Sequence, residues 1–277
     1  MDLYDEYRVK PDGKVQLKVI EPREDKPFKD REEAEQLTAE NVEAIRQLQY
    51  RMFVEGKQSL LIVLQAPDAA GKDGLIRRVL GKMNPQGCRV HSFKKPTELE
   101  LAHDFLWRVH PCVPARGQVS IFNRSHYEDV LIVRVHDLVP KSVWKERYDL
   151  INSFESLLAS AGTRILKFYL HISPEEQLER FKERLDLPEK HWKLNAADYH
   201  ERDRWDDYRE AYQAAFEKCS PKHAPWFVIP ADRKWYRNAV VSQIVRKTLE
   251  EMDPQLPPVT EDLAEIRRLY GMAEGED

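Results

Sequence analysis

The run SLLIVLQA, residues 59–66, is apolar at successive positions and therefore on both faces of an extended strand. Such a segment has no side to offer water, so it belongs at the centre of a parallel sheet covered by helices above and below. Four further strand-like runs follow: CRVHSF (88–93), GQVSIFNR (117–124), RILKFYLHIS (164–173) and WFVIPAD (226–232). Helical patterns separate them, among them GLIRRVLGKMN, ELELAHDFLWRVH, WKERYDLINSFESLLASAG and SPEEQLERFKERL. In the last, Ser173, Pro174 and two glutamates are helix-start signals. The alternation predicts an α/β fold, a three-layer α/β/α sandwich around a parallel five-stranded sheet.

Residues 1–30 are polar and weakly patterned and read as an extended arm. Residues 31–252 form one domain, and the Pro-rich, acidic stretch 253–277 is a tail. One segment inside the domain breaks the rhythm: DLPEKHWKLNAADYHERDRW (about 186–205) mixes Lys, Arg, Trp and His without an apolar stripe and reads as a helical lid over a cleft. The chain of 277 residues carries a net charge of −4, so a polyanion would need a local basic cleft. Neither nucleic acid nor membrane is an expected partner. Cys88, Cys112 and Cys219 stand far apart, which argues for reduced thiols. With no apolar leader in MDLYDEYRVKPDGKVQL and no membrane-spanning run, a cytoplasmic location is expected.

The turn after the first strand, PDAAGKDG, approaches the phosphate-loop pattern G-x-x-x-x-G-K-[ST]. Ala66 stands at its first Gly and Asp73 at its Ser/Thr. The context is the required one, a buried strand before and a helix after. Ala69, Ala70, Gly71 and Gly74 are small enough for backbone amides to curl around a phosphate at a helix start. Lys72 supplies a point charge for a transferring phosphoryl group. Losing the Ser/Thr removes a usual Mg²⁺ ligand; Asp68 offers a hard oxygen in its place and so implies the metal. Asp73 could cap the helix instead. The third strand ends in Asn123 and Arg124, where Arg124 has the fork geometry that clamps a phosphate. Asn123 can reach metal only through its carbonyl or through water. Lys94 and Lys95 lie at another strand's carboxyl end, where open α/β sheets bind ligands. Ordinary structural roles are also open to some of these residues: an Arg202–Asp206 helix pair, Trp192 and Trp205 as local packing, and His126 as a satisfied histidine of the cleft wall.

Taken together, PDAAGKDG, FKKPT, FNRSHYEDVLIVRVH, WKLNAADYHERDRWDDYREAY and APWFVIPADRKWYRNAVV resemble the polyphosphate kinase 2 family over about residues 30–250. The resemblance implies a phosphate-loop kinase fold that moves phosphoryl groups between inorganic polyphosphate and nucleotides with Mg²⁺, for which Mn²⁺ can substitute. It implies that Asp68 faces the metal and that Asn123–Arg124 stand at the Walker B position. The sequence Asn-Arg-Ser-His-Tyr-Glu, in place of the commoner Asp-Arg-Ser-Trp-Tyr-Asn, resembles the class III subgroup, which accepts both AMP and ADP to form ADP and ATP. Glu128 then tunes nucleotide acceptance. Lys94, Lys95 and Arg134 would contact the phosphate chain, and Lys193, Arg202 and Arg204 would close over it from the lid. A homo-oligomer is compatible with the resemblance. The rival reading is an ATP-dependent nucleoside or nucleotide kinase, in which Glu128 or Asp129 would serve as base for a hydroxyl acceptor. A binding regulator without turnover is a further rival; it would not need the lid cations.

Overall fold

The computed structural model describes residues 3–11 and 13–274. Five parallel strands, β1 (Ser59–Gln65), β2 (Cys88–Ser92), β3 (Val119–Asn123), β4 (Thr163–His171) and β5 (Trp226–Pro230), form one sheet in the order β2-β3-β1-β4-β5. Every residue of β1 is buried, as its two-sided apolar pattern requires. Leu60, Ile62 and Leu64 point into one apolar layer and Leu61 and Val63 into the other, which is the period-two alternation of a strand. The helices Arg31–Glu55 and Lys234–Met252 cover the first layer; Lys141–Ser160 and Trp205–Lys218 cover the second. From β1 the chain crosses to the edge strand β2, returns to β3, and then passes to β4 on β1's other side. The crevice beyond the carboxyl ends of β1, β3 and β4 is therefore the topological switch point, where such sheets hold ligands.

The structure departs from the sequence reading at three elements. ELELAHDFLWRVH is not one helix. Only Glu98–Leu101 is α-helical, closed by a Thr97/Glu100 capping box, and a 3₁₀ turn spans His110–Cys112. The Asp104 carboxylate accepts from the Leu106 amide at 3.0 Å, a local turn that competes with helix continuation. The arm is not merely extended. Leu3–Tyr7 is helical, and Arg8 bridges Phe227 antiparallel, covering the β5 edge. Leu3 and Leu17 are buried, each in its own core gap, a spacing that shows no period in the sequence. In the tail, Leu263–Glu274 is a helix. No helix among the described residues is long and apolar enough to cross a membrane.

Candidate active site

The loop from Ala66 to Gly71 leaves β1 at the switch point and turns sharply into the helical run Lys72–Leu80. Ala69 (φ 61°) and Gly71 (φ 97°) both adopt the left-handed region, which only glycine enters without cost. A Cβ at Gly71 would stand 2.3 Å from an Arg237 guanidinium nitrogen, so the position admits no side chain.

What bends the loop is a set of donors behind it. The Gln177 side-chain amide donates to the Asp68 carbonyl at 2.9 Å. Arg180 donates to the Ala69 and Ala70 carbonyls at 3.1 and 2.8 Å, and Arg237 to those of Ala70 and Gly71 at 3.1 and 3.2 Å. The Ala70 amide closes a turn on the Pro67 carbonyl at 3.3 Å, and with the carbonyls tied backwards the amides at the helix start, Gly71 to Gly74, are left for an anion, as in an anion-binding nest. Arg180 and Arg237 are 5% and 2% exposed. Burial, and then the neighbouring Arg180 cation, hold Arg237 below the usual arginine range. An anion in the nest relieves that crowding of positive charge.

Lys72 is buried, and its ammonium donates to the Ala66 carbonyl at 3.1 Å. Burial, with the Arg124 cation adding to it, pushes its pKa down to about 8 against the pull of Asp68, Glu128 and Asp73. Arg124, itself left-handed at φ 61°, ends β3, and its backbone amide donates to the Leu64 carbonyl at 3.0 Å. Its guanidinium lies 2.5 Å from the Asp68 carboxylate and 3.8 Å from that of Glu128. Glu128 also accepts from the Gln65 side chain at 3.2 Å. Asp73 does not cap its helix. It is exposed, accepting from the Asn123 amide at 2.9 Å and pairing with Lys193 of the lid at 3.2 Å. Burial opposes its charge, but Asn123 and Lys193 outweigh that and hold its carboxyl below the usual range.

Beneath the end of β3 lies a fully buried polar cluster. The Lys167 ammonium donates to Glu155 at 2.5 Å, to the Tyr127 hydroxyl at 2.8 Å and to the Cys219 carbonyl at 2.7 Å. Tyr127 in turn donates to Glu155 at 2.9 Å, and His126 sits 3.3 Å from the same carboxylate. His126 is thus a buried histidine of the cluster rather than a cleft residue, with Nε2 on Glu155 and Nδ1 buried without a partner. The cluster fixes the two residues that follow Arg124 and Ser125, and so holds the turn that aims Arg124.

Two unlike cavities meet at Asp68 and Arg124. The first, of about 810 Å³, lies in front of the loop and is lined by ten cationic side chains against four carboxylates, in a molecule whose net charge is −4. Lys72, Lys94, Arg184, Lys190 and Lys193 are among them. The second is narrow, about 60 Å³, and is walled by Tyr169, Trp205, Tyr208 and Tyr212, with Leu17 from the arm and Glu128 beside Arg124.

The structure thus brings together Asp68, Ala69, Gly71, Lys72, Asp73, Gly74, Lys94, Asn123, Arg124, Glu128 and Lys193, with Ala70 buried in the loop. Four expected contacts lie elsewhere. Lys95 is exposed and does not line the cleft. Arg134 lies 3.9 Å from Glu210 and packs over the Trp144 ring. Arg202 donates to the Pro174 carbonyl and the Gln177 amide oxygen at 3.0 and 2.7 Å, not to Asp206. Arg204 pairs with Asp207 at 3.2 Å on the exposed surface. Asp129, a base in the rival kinase reading, is turned into Arg147 at 2.8 Å; burial pushes it up to about 6 against that cation's pull. The sequence reading missed Gln177, Arg180 and Arg237. In Pro174–Asp186, Leu178 and Leu185 are exposed while Gln177 and Arg180 are buried, the reverse of an apolar-face helix. Only the position of the phosphate loop behind that helix reveals it.

Comparison with known proteins agrees with this geometry. The chain is 52% identical over 253 residues to the AMP/ADP-polyphosphate phosphotransferase of Meiothermus ruber, covering 91% of this chain and 94% of that one. It is 43% identical over 267 residues to the ADP-polyphosphate phosphotransferase of Rhodopseudomonas palustris, covering 92% of each. The crystal structure of Polyphosphate Kinase 2 from Arthrobacter aurescens TC1 superposes with a TM-score of 0.93 at 41% identity, over 98% of this chain and 96% of that one. The profile of Polyphosphate kinase 2 (PPK2) matches residues 27–257, and with a phosphate loop, a cationic cleft and a lid in place the chain belongs to that family.

Proposed function

We propose that this protein transfers the terminal phosphoryl group of inorganic polyphosphate to AMP and to ADP, forming ADP and ATP, in a reaction that also runs in reverse. The observation that carries the reading is the junction at Asp68 and Arg124 between a large cationic cleft and a small aromatic cavity. A chain of phosphates suits the first; a nucleobase suits the second. At about 60 Å³ the aromatic cavity is below the size of ordinary ligand pockets, so Trp205 and Tyr208 must shift to admit a base.

An oxygen of the acceptor's terminal phosphate attacks the terminal phosphorus of the chain. The bond from that phosphorus to its bridging oxygen breaks, and the chain leaves one unit shorter with the electron pair. The acceptor oxygen is already ionised near neutral pH, so no side chain need act as base; Glu128 is assigned to acceptor choice. Catalysis is alignment and charge neutralisation: loop amides and Lys72 on the transferring group, Arg124 between donor and acceptor. Lys94 and Lys193 hold the chain, and closure of 186–205 keeps out water, the competing acceptor.

The carboxylates at the junction fit a hard divalent cation. No group of three His, Cys, Asp or Glu among the described residues forms a cage. Mg²⁺, for which Mn²⁺ can substitute, commonly takes one or two carboxylates and fills its shell with water and substrate phosphates. Asp68, with Asp73 nearby, would hold it, and when bound it supplies positive charge to the phosphate oxygens. The reading places the reaction in the cytoplasm, with neither membrane nor nucleic acid as partner.

The test is ATP formation from purified protein, Mg²⁺, polyphosphate and AMP or ADP with no ATP supplied. ATP from both acceptors is expected. ATP from ADP alone removes the assignment of Glu128, and none from either removes polyphosphate as donor.

A further inference from the structure

The cationic cleft does not end at the phosphate loop. A second cavity, of about 500 Å³, shares Gly74, Arg77, Lys234 and Arg237 with it. A third, of about 800 Å³, shares Arg31, Arg78 and Trp235 with the second and extends to Arg46 and Lys82. The three form one continuous groove from the loop, across the helical run Lys72–Leu80, to the outer face of the helix Arg31–Glu55. Not all of its cations are free. Glu35 holds Arg31 at 2.8 Å, Glu43 holds Arg46 at 2.6 Å, and Glu176 and Asp232 add negative charge at the near end. Arg77, Arg78 and Lys82 are exposed, and no ion pair is assigned to them among the described residues. Arg78 lies in the last turn of the helical run and Lys82 just beyond its end, and both line the third cavity. Unpaired cations in a row, joined to a phosphate site, are what a repeating anion longer than the site would meet.

We infer that this groove binds the unreactive part of a long linear polyphosphate, the length of chain lying beyond the end that reacts. The assignment rests on the proposed function and adds to it a site outside the catalytic cleft. Its consequence is a preference for long donors that resides in KM. The reacting end sees the same loop whatever the chain length, so kcat is unaffected. Continuity with the phosphate loop favours polyphosphate over nucleic acid as the occupant.

The experiment compares the wild type with the double variant Arg78→Ala/Lys82→Ala, measuring ATP formation from ADP with linear hexapolyphosphate and with long-chain polyphosphate. The expected result is a rise of roughly five- to twentyfold in KM for the long chain, the effect of losing two exposed charge contacts. KM for hexapolyphosphate, KM for ADP and both kcat values stay at the wild-type level, which also verifies folding. An unchanged long-chain KM overturns the assignment, and so does an equal rise for both donors. If the variant instead loses binding of single-stranded RNA and not of long polyphosphate, the groove serves nucleic acid and the assignment falls. A wild type that makes no ATP from either donor overturns the functional reading itself, and the groove's assignment with it.

Discussion

The phosphate loop and the lid face the same cleft but are secured in opposite ways. The loop's carbonyls are tied from Asp68 to Gly71 by Gln177, Arg180 and Arg237, and its arginine partners are almost wholly buried. In the lid, no residue between 186 and 205 is buried. Tyr199 packs on the buried Phe181 and Asp198 pairs with Arg184 at 3.1 Å, both partly buried, while other links to the body are more exposed polar contacts, such as Lys193 with Asp73 at 3.2 Å. Contacts of that kind are worth a few tenths of a kcal/mol up to about 1 kcal/mol each. The floor is tied into the cooperative core, whereas the roof, with no buried residue, is held by contacts that give way more readily. Hydrogen exchange should separate them, with amides of 75–80 protected near the global limit and those of 188–204 exchanging early.

Substitutions can break this comparison or sharpen it. Lys72→Ala and Asp68→Asn should each lower kcat by about a thousandfold or more with Tm little changed, read by turnover assay and thermal melting. A near-normal rate would remove that residue from the mechanism. Arg237→Met should strike stability and turnover together, since it takes one of two arginine donors from the Ala70 carbonyl and the side-chain donor from that of Gly71, a loss of about 1–3 kcal/mol, checked by urea unfolding beside kcat. Lys193→Ala should do the converse, raising KM for polyphosphate a few-fold with unfolding free energy within about 0.5 kcal/mol of wild type. If the stability losses came out reversed, floor and roof would have been misassigned. Glu128→Gln should alter the ratio of AMP to ADP turnover with a small effect on the better acceptor. Arg204→Ala, on the far surface, should change nothing measurable.

Lys72 gives the floor a pH signature. Its pKa is depressed from 10.5 to about 8 in the folded protein, so between those values the unfolded chain carries the extra proton. Stability contributed by this group therefore rises as pH increases from about 8 towards 10.5, and its cost is fully present below 8. The difference in unfolding free energy between wild type and Lys72→Met should shrink over that interval. Phosphate binding should restore the charge, so calorimetry in two buffers near pH 9 should register proton uptake.

The sheet was legible in the sequence because its signal is local: β1 had to be buried on both faces, and each strand end met a turn. The front of the site was legible for the same reason, since Asp68 to Gly74 is contiguous and Asn123–Arg124 closes a neighbouring strand. Its back was not. Arg180 and Arg237 are charged residues on helices, for which a solvent-facing position is the ordinary expectation, and only tertiary packing turns them onto the loop. Arg202 failed in the opposite sense: a lid arginine looks ready for phosphate, yet Gln177 and the Pro174 carbonyl use its donors. The arm failed because isolated leucines at 3 and 17 carry no period. Spacing shows what alternates or adjoins, and is blind to a side chain aimed across the fold.

Leu17 brings the arm into the wall of the site. The family match begins at residue 27, yet a wall of the aromatic cavity comes from before it. A cavity walled partly by the arm can be reshaped by changes there while the phosphate loop keeps its ties to Gln177, Arg180 and Arg237. An N-terminal truncation chosen to trim a supposed tail would instead open one side of the aromatic cavity.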